Sequence, residues 1–231
     1  MAEAFLTAGS KVAICGRREA KLREARLIRP EFKVRVCDVS KEDERERLVD
    51  WGRINLPGLN VLINNAGVQR DIDFTDAATD FLKGENEIRT NLESTIALSG
   101  LFVPLLRSNE GAAIINVSSG LGFVPSARMP VYSASKAGIH AFSMALRCQL
   151  AKVGMKVFEI VPPAVDTELN LEGRAARRGF KPNISPKEFV VAVMKGLECD
   201  CFEIGYGMTS EFIHASRADL DRSFQRMNCG K

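Results

Sequence analysis

Residues 112–161 decide the fold. They open with Ala112-Ala-Ile-Ile-Asn-Val117, pass through a helical pattern at residues 133–152, and end with Lys156-Val-Phe-Glu-Ile-Val161. Two short Val/Ile-rich runs joined by a long helix read as a strand–helix–strand unit, and a crossover of that length makes the strands parallel. Near-continuous apolar strands of this kind are covered on both faces. The same alternation extends in both directions. Lys11-Val-Ala-Ile-Cys15, Lys33-Val-Arg-Val-Cys37 and Asn60-Val-Leu-Ile-Asn64 read as strands, and residues 18–27, 41–53 and 85–106 as helices. A helix at residues 186–197 leads into a sixth strand around Cys201-Phe-Glu-Ile-Gly205. Residues 210–227 read as an amphipathic surface helix carrying Phe212, Ala215, Leu220 and Phe224. The expected architecture is α/β, a three-layer, doubly wound and mostly parallel sheet of the Rossmann type. No linker or repeat divides the chain, so residues 1–231 are expected to form one domain.

Composition narrows the class. The 231 residues are 45% apolar and 26% charged, enough apolar material for a sizeable core and against disorder. A formal net charge of +3 is too small for a nucleic-acid footprint. No apolar run approaches the ~18 residues that a membrane span needs. Glu3 and the lack of a basic segment near Met1 argue against a secretory leader, so a cytoplasmic location with reduced thiols is expected. Cys15 and Cys37 lie in strand patterns and read as small buried hydrophobes. Cys199 and Cys201 form a C-x-C pair, but His140 and His214 are both remote in sequence, so no metal site is expected.

In a doubly wound sheet, ligands bind beyond the carboxyl ends of the strands. The segments there are Gly16-Arg17-Arg18, Asp38-Val39, Asn64-Asn-Ala-Gly67, Ser118-Ser119 and Pro162-Pro-Ala-Val-Asp-Thr167. The sharpest chemical feature is Tyr132-Ser-Ala-Ser-Lys136. On a helix, positions i and i+4 share a face, so a phenol and an ammonium lie side by side. A neighbouring cation favours phenolate, which lowers the tyrosine pKa and suits Tyr132 to acid–base work at an alcohol or carbonyl oxygen. Alone, the spacing is weak, because the chain holds 32 basic residues and an exposed tyrosine beside a solvated lysine satisfies it equally. Ser119, thirteen residues earlier at a strand end, adds a hydroxyl able to bond the same substrate oxygen. Asn91 lies on a helix face flanked by Ile88, Leu92 and Ile96. It reads either as a satisfied core amide or as a bend in the helix that holds a water between Lys136 and solvent.

With these pieces in place, the chain resembles the short-chain dehydrogenases/reductases, and within them the DltE-type oxidoreductases. Asn64-Asn-Ala-Gly67, Asn91, Asn116-Val-Ser-Ser119, Tyr132-x-x-x-Lys136 and the turn from Pro162 to Thr167 occur in that family's order and spacing. The resemblance implies a catalytic tetrad of Asn91, Ser119, Tyr132 and Lys136. Ser119 would orient the substrate oxygen, Tyr132 would exchange its proton, and Lys136 would hold the nicotinamide ribose. Asn65 and Ala66 would line the cofactor ribose, Val165 and Thr167 the carboxamide, and Asp38 and Val39 the adenine. Arg17, following Gly16 where an acidic residue would select NAD, favours a 2′-phosphate and hence NADP, with NAD possible. The expected substrate is a small carbonyl compound or secondary alcohol, and the expected assembly a homodimer or homotetramer.

Two departures stand out. Pro162-Pro163 replaces the family's Pro-Gly, and no G-x-x-x-G-x-G turn occurs in the 231 residues. Residues 2–9 match the later part of the family's first crossover helix, so the central strand before it is expected to be missing and Met1 to be an internal methionine of a longer chain. The strands beginning at Lys11 and Asn60 are then expected either to leave inner edges unpaired or to close on each other. Residues 168–186, with Arg174, Arg177 and Arg178, occupy the place of a substrate lid. Three arginines there would favour an anionic substrate or merely form a solvated basic face. Two alternatives remain: a non-catalytic relative unable to hold the dinucleotide, and a nucleotide-sugar epimerase, for which too little chain follows Thr167.

Overall fold

Alternating side chains along two central strands organise the molecule. In the computed structural model, which describes residues 1–75, 80, 83–84, 86–175 and 184–229, these are β4 (Ala113–Val117) and β5 (Lys156–Val161). Ile114 and Val157 point to one face and Ala113, Ile115, Phe158 and Ile160 to the other, as the two-residue period of a strand requires. β3 (Val61–Asn64) and β6 (Glu203–Gly205) flank them, giving an all-parallel sheet of order β3-β4-β5-β6.

Helices cover both faces. On the first lie α3 (Glu42–Asn55), α4 (Ser94–Leu106) and α5 (Pro130–Ala151), which contribute Leu48, Val49, Leu98, Phe102, Leu106 and Leu150 to one core. On the second, α7 (Pro186–Glu198) contributes Phe189 and Val193, and α1 (Ala2–Thr7) packs Phe5 against the same cluster. The start of α7 is set by a capping box in which Ser185 and Glu188 each satisfy the other's backbone N–H. This is the expected three-layer arrangement.

β1 (Ala13–Gly16) and β2 (Lys33–Val36), joined through α2 (Glu19–Ile28), form a separate parallel pair. Among the described residues no ladder joins β1 to β3, so of the two outcomes considered for these strands the inner edges stay apart. Burial follows from this. Ile114, Val157 and Ile160 are wholly buried, whereas Cys15 is exposed on β1, against the expectation of a buried thiol. Cys37, just past β2, is buried as expected, and burial pushes its thiol up to about 12.

Two helical expectations are revised. The pattern at 85–106 is not one regular helix: residue 85 lies outside the described residues, and Ile88–Glu93 form a π-helical turn that runs directly into α4. The surface helix expected at 210–227 is two helices, α8 (Met208–His214) and α9 (Arg217–Cys229). Ala215 is extended, and Ser216 restarts the helix by accepting from the Asp219 N–H. The short α6 (Leu171–Ala175) begins the 168–186 segment, whose residues 176–183, with Arg177 and Arg178, lie outside the described residues.

Candidate active site

The helix α5 brings the acid–base groups together. Pro130 begins it with a preset φ, and Tyr132 and Lys136 follow one turn apart. Tyr132 is 5% and Lys136 4% exposed, and the Lys136 Nζ lies 5.6 Å from the centre of the Tyr132 ring. Lys136 Nζ donates to the Val117 carbonyl at 2.8 Å, tying helix to strand end.

Beyond β4 the chain turns sharply. Ser119 is extended, and a single 3₁₀ turn, Gly120–Gly122, follows it. Ser119 Oγ accepts from the Leu121 N–H at 3.2 Å and faces the buried Tyr132 phenol, whose pKa it pulls down. Glycine is required twice in this turn by close approach. A Cβ on Gly122 would lie 2.9 Å from the Lys136 carbonyl carbon, and one on Gly120 would lie 2.7 Å from Thr209 Cγ2 of α8. The turn is thus pressed between α5 and α8, which fixes where Ser119 presents its hydroxyl.

Asn91 is wholly buried in the π turn. Its Oδ1 accepts from the Val68 N–H at 2.8 Å, while Nδ2 donates to the Val68 carbonyl at 3.0 Å and to Ser135 Oγ at 3.0 Å. The side chain therefore clamps the segment after β3 onto α5, and the widened turn, a feature common at functional sites, aims it there. Both readings of Asn91 are partly realised: its amide is fully satisfied and the helix is distorted around it. Next to it, the wholly buried Glu87 accepts from the Arg70 N–H and Nε, both at 3.0 Å, holding the same segment from the other end. Glu87 carried no distinguishing signal in the sequence, being one of several charged and polar residues in the stretch from Glu85 to Glu93.

The electrostatics differ from the expectation in one respect. Burial pushes the Tyr132 phenol up to about 12, outweighing the Ser119 hydrogen bond and the charge of Arg174, which pull it down. The expected lowering by Lys136 does not occur. The ammonium is itself destabilised, since burial pushes Lys136 down to about 8 while the Glu159 charge acts against that fall.

The remaining residues of interest line the same rim. Asn65, Ala66 and Gly67 are exposed beyond β3, and a Cβ direction from Gly67 points at Asn91 Oδ1 (3.5 Å) and Lys136 Nζ (3.7 Å). Val165 is buried against Ile160 and Phe189 and pairs its backbone with Ile184, so of the expected carboxamide contacts Thr167 is the open one. On the smaller sheet, burial pushes the Asp38 carboxyl up, but the Ser40 hydroxyl and N–H, and after them the charges of Lys41 and of Arg17 just past β1, hold it below its ordinary value. Asp38 Oδ1 accepts from both Ser40 groups. Val39 turns away into the core beside Leu48 and Val49. Glu168, just past Thr167, pairs with Arg18 and Lys21 at 3.2 Å each, closing the distance between the two halves of the rim.

The sequence as a whole carries the same assignment. Residues 1–178 match the model of the short chain dehydrogenase family. The chain belongs to this family. It is 41% identical over 228 residues to the oxidoreductase DltE of Bacillus subtilis (strain 168), covering 99% of this chain and 90% of that protein. Among solved structures, a short chain dehydrogenase of Burkholderia cenocepacia J2315 in complex with NADP superposes with a TM-score of 0.73 at 28% identity, covering 94% of this chain and 97% of that one. A short-chain dehydrogenase of Streptomyces avermitilis shares the fold with a TM-score of 0.81 at 22% identity, over 97% of this chain and 89% of that one. The protein is therefore an oxidoreductase of this family, built on a Rossmann-like fold with parallel sheets. Among the described residues no helix is long and apolar enough to cross a membrane.

Proposed function

We propose that the protein is an NADP-preferring reductase of a small carbonyl compound, with Tyr132 as the proton donor. The observation that carries this reading is the buried Tyr132 phenol facing Ser119, with the Lys136 ammonium one helical turn away and 5.6 Å from its ring.

The residues present fit a nicotinamide dinucleotide at both ends. The exposed segment 65–67 lies over Lys136 and Asn91, giving a ribose an ammonium donor beneath a backbone that offers little side-chain bulk. At the other end Gly16 has nothing within 4 Å of its Cβ direction, and the guanidinium of Arg17 follows it, a fork matched to phosphate. The 231 residues contain no glycine-rich turn to assign to the pyrophosphate. When bound, the nicotinamide supplies or accepts a hydride.

The chain's own residues do the rest. Ser119 orients the substrate oxygen toward Tyr132, and the Tyr132 O–H donates to that oxygen as it gains negative charge. A phenol held up to about 12 is fully protonated at neutral pH, so it enters as an acid, the form that carbonyl reduction requires. Lys136, still largely cationic at pH 7, holds the ribose and stabilises the phenolate left after transfer. Asn91 acts on neither reactant directly; it positions the 65–68 segment against α5.

The test is a panel of small ketones and aldehydes with NADPH and with NADH, following absorbance at 340 nm. Reduction faster with NADPH supports the reading. A chain that binds NADPH and reduces none of the panel, or that prefers NADH in kcat/KM, overturns it.

A further inference from the structure

A polar row crosses the sheet beneath α5. Asn64, Asn116, Glu159 and Glu203 are successive register partners on β3, β4, β5 and β6, and strand alternation points all four at the helix side. The amides are bonded to each other and to serines: Asn64 Nδ2 donates to Asn116 Oδ1 and Ser99 Oγ, and Asn116 Nδ2 to Ser143 Oγ. Glu203 is paired with Arg147 at 3.3 Å. Glu159 is different. It is wholly buried, its Oε2 lies 2.8 Å from His140 Nδ1, and its Oε1 has no hydrogen-bond partner among the described residues. A carboxylate in the middle of a sheet costs far more than an amide of the same shape, so packing alone does not account for it.

His140 follows Lys136 by one turn on the same face of α5. Lys136 Nζ is anchored on the Val117 carbonyl, one residue along β4 from Asn116, the cross-strand neighbour of Glu159. One strand spacing of ~4.8 Å and one residue rise of ~3.3 Å separate those backbone positions, about 6 Å in all.

We propose that Glu159, held in place by His140, is a positioning residue for the reaction, its buried negative charge keeping the Lys136 ammonium protonated. This rests on the proposed role of Lys136. Among the described residues, the other groups placed near Lys136 are neutral: Tyr132 on α5, the Val117 carbonyl of β4 and, off Gly67, Asn91 in the π turn. Arg174 of α6 acts on Tyr132. Around Glu159 the charged groups are His140 and Arg147 from α5 and Glu203 from β6, while β4 presents the neutral Asn116. Arg147 is paired with Glu203, and among the described residues Glu159 is the carboxylate whose charge acts on Lys136. His140 shares that charge only when protonated. Its hydrogen bond to Glu159 raises its pKa, so the carboxylate acts on Lys136 most fully at the alkaline side of the His140 titration. The His140, Glu159 and Glu203 ligand atoms lie within 4.8 Å of one another, but Arg147 already supplies the cation there.

The test labels the full chain with ¹³Cε-lysine and titrates it by NMR without cofactor, the Lys136 resonance being assigned by its loss in Lys136→Met. The wild-type midpoint is expected near 8. Glu159→Gln keeps the shape and removes the charge. Its midpoint is expected to fall by at least about one pH unit, with the alkaline limb of kcat/KM moving equally, while Glu159→Asp recovers most of the wild-type value. Should Glu159→Gln not melt cooperatively, Glu159→Met reads the same midpoint, since an apolar side chain of similar volume often replaces a buried ionic one. A folded variant with an unmoved midpoint overturns the proposal. A Lys136→Met chain that still turns over would instead remove the reading on which it rests.

Discussion

Replacing Gly122 with alanine tests whether the Ser119 turn is built by contact with α5. The new Cβ would lie 2.9 Å from the Lys136 carbonyl carbon, 3.0 Å from its oxygen and 3.1 Å from the Ala137 nitrogen. All three are backbone atoms of a 22-residue helix, so no side chain can swing aside. Ordinary contact lies near 3.5–4.0 Å, and the turn must back away from α5 by roughly 0.5 Å or more. Overpacking of this kind costs ~1–3 kcal/mol, which for a domain of this size lowers Tm by about 2–12 °C. The same displacement moves the Ser119 hydroxyl away from Tyr132. Misplacement by ~1 Å costs on the order of 10² in rate, so kcat should fall tenfold or more even below the melting range. Calorimetry and steady-state kinetics on the same sample measure both effects. Gly100→Ala is the control, because that exposed position in α4 has nothing within 4 Å, and alanine there should be neutral or stabilising by ~0.5–1 kcal/mol. A Gly122→Ala protein with unchanged Tm and unchanged kcat would refute the argument.

Three further outcomes follow from the same geometry. Lys136→Ala should lower both kcat and NADPH affinity, since one ammonium serves the ribose and the phenolate; loss of rate with unaltered NADPH binding by fluorescence titration would detach Lys136 from the cofactor. Because Lys136 is depressed to about 8, its charge is present below that pH and lost above it, so NADPH affinity should weaken about tenfold per pH unit beyond 8. A flat affinity from pH 7 to 10 would contradict this. Gly16→Asp combined with Arg17→Ala should move preference from NADP toward NAD by about ten- to a hundredfold in kcat/KM, from charge-assisted contacts of ~1.5–3 kcal/mol, and the open space at Gly16 admits the new side chain. Preference unmoved by the pair would make Arg17 a surface residue.

What the sequence disclosed was mostly local. β5 was legible at its observed bounds, and the other strands within two residues, because a buried parallel strand is a short apolar run and its period is visible in one segment. The Tyr132–Lys136 pair was legible because helical spacing is equally local. The direction of the Tyr132 pKa was not, because burial outweighs the neighbouring hydroxyl and charge and depends on residues remote in sequence. The row from Asn64 to Glu203 was hidden for the same reason: register between strands comes from packing across some 140 residues of chain. Glu159 read as one polar letter inside an apolar strand, and only the fold puts His140 beside it. The break at Ala215 escaped notice because the amphipathic pattern continues through it, although the Ser216–Asp219 restart is a recognisable cap.

The most direct test of the account is single-turnover reduction of a carbonyl substrate by the NADPH-bound chain, comparing wild type with Tyr132→Phe. Phenylalanine keeps the ring in its buried place and removes only the hydroxyl, so NADPH affinity and Tm should stay close to wild type. The rate of the chemical step should fall by about 10²–10⁴, the contribution of a positioned general acid. A Tyr132→Phe protein that retains more than about a tenth of the wild-type rate with the same cofactor affinity would contradict the assignment of Tyr132 as proton donor.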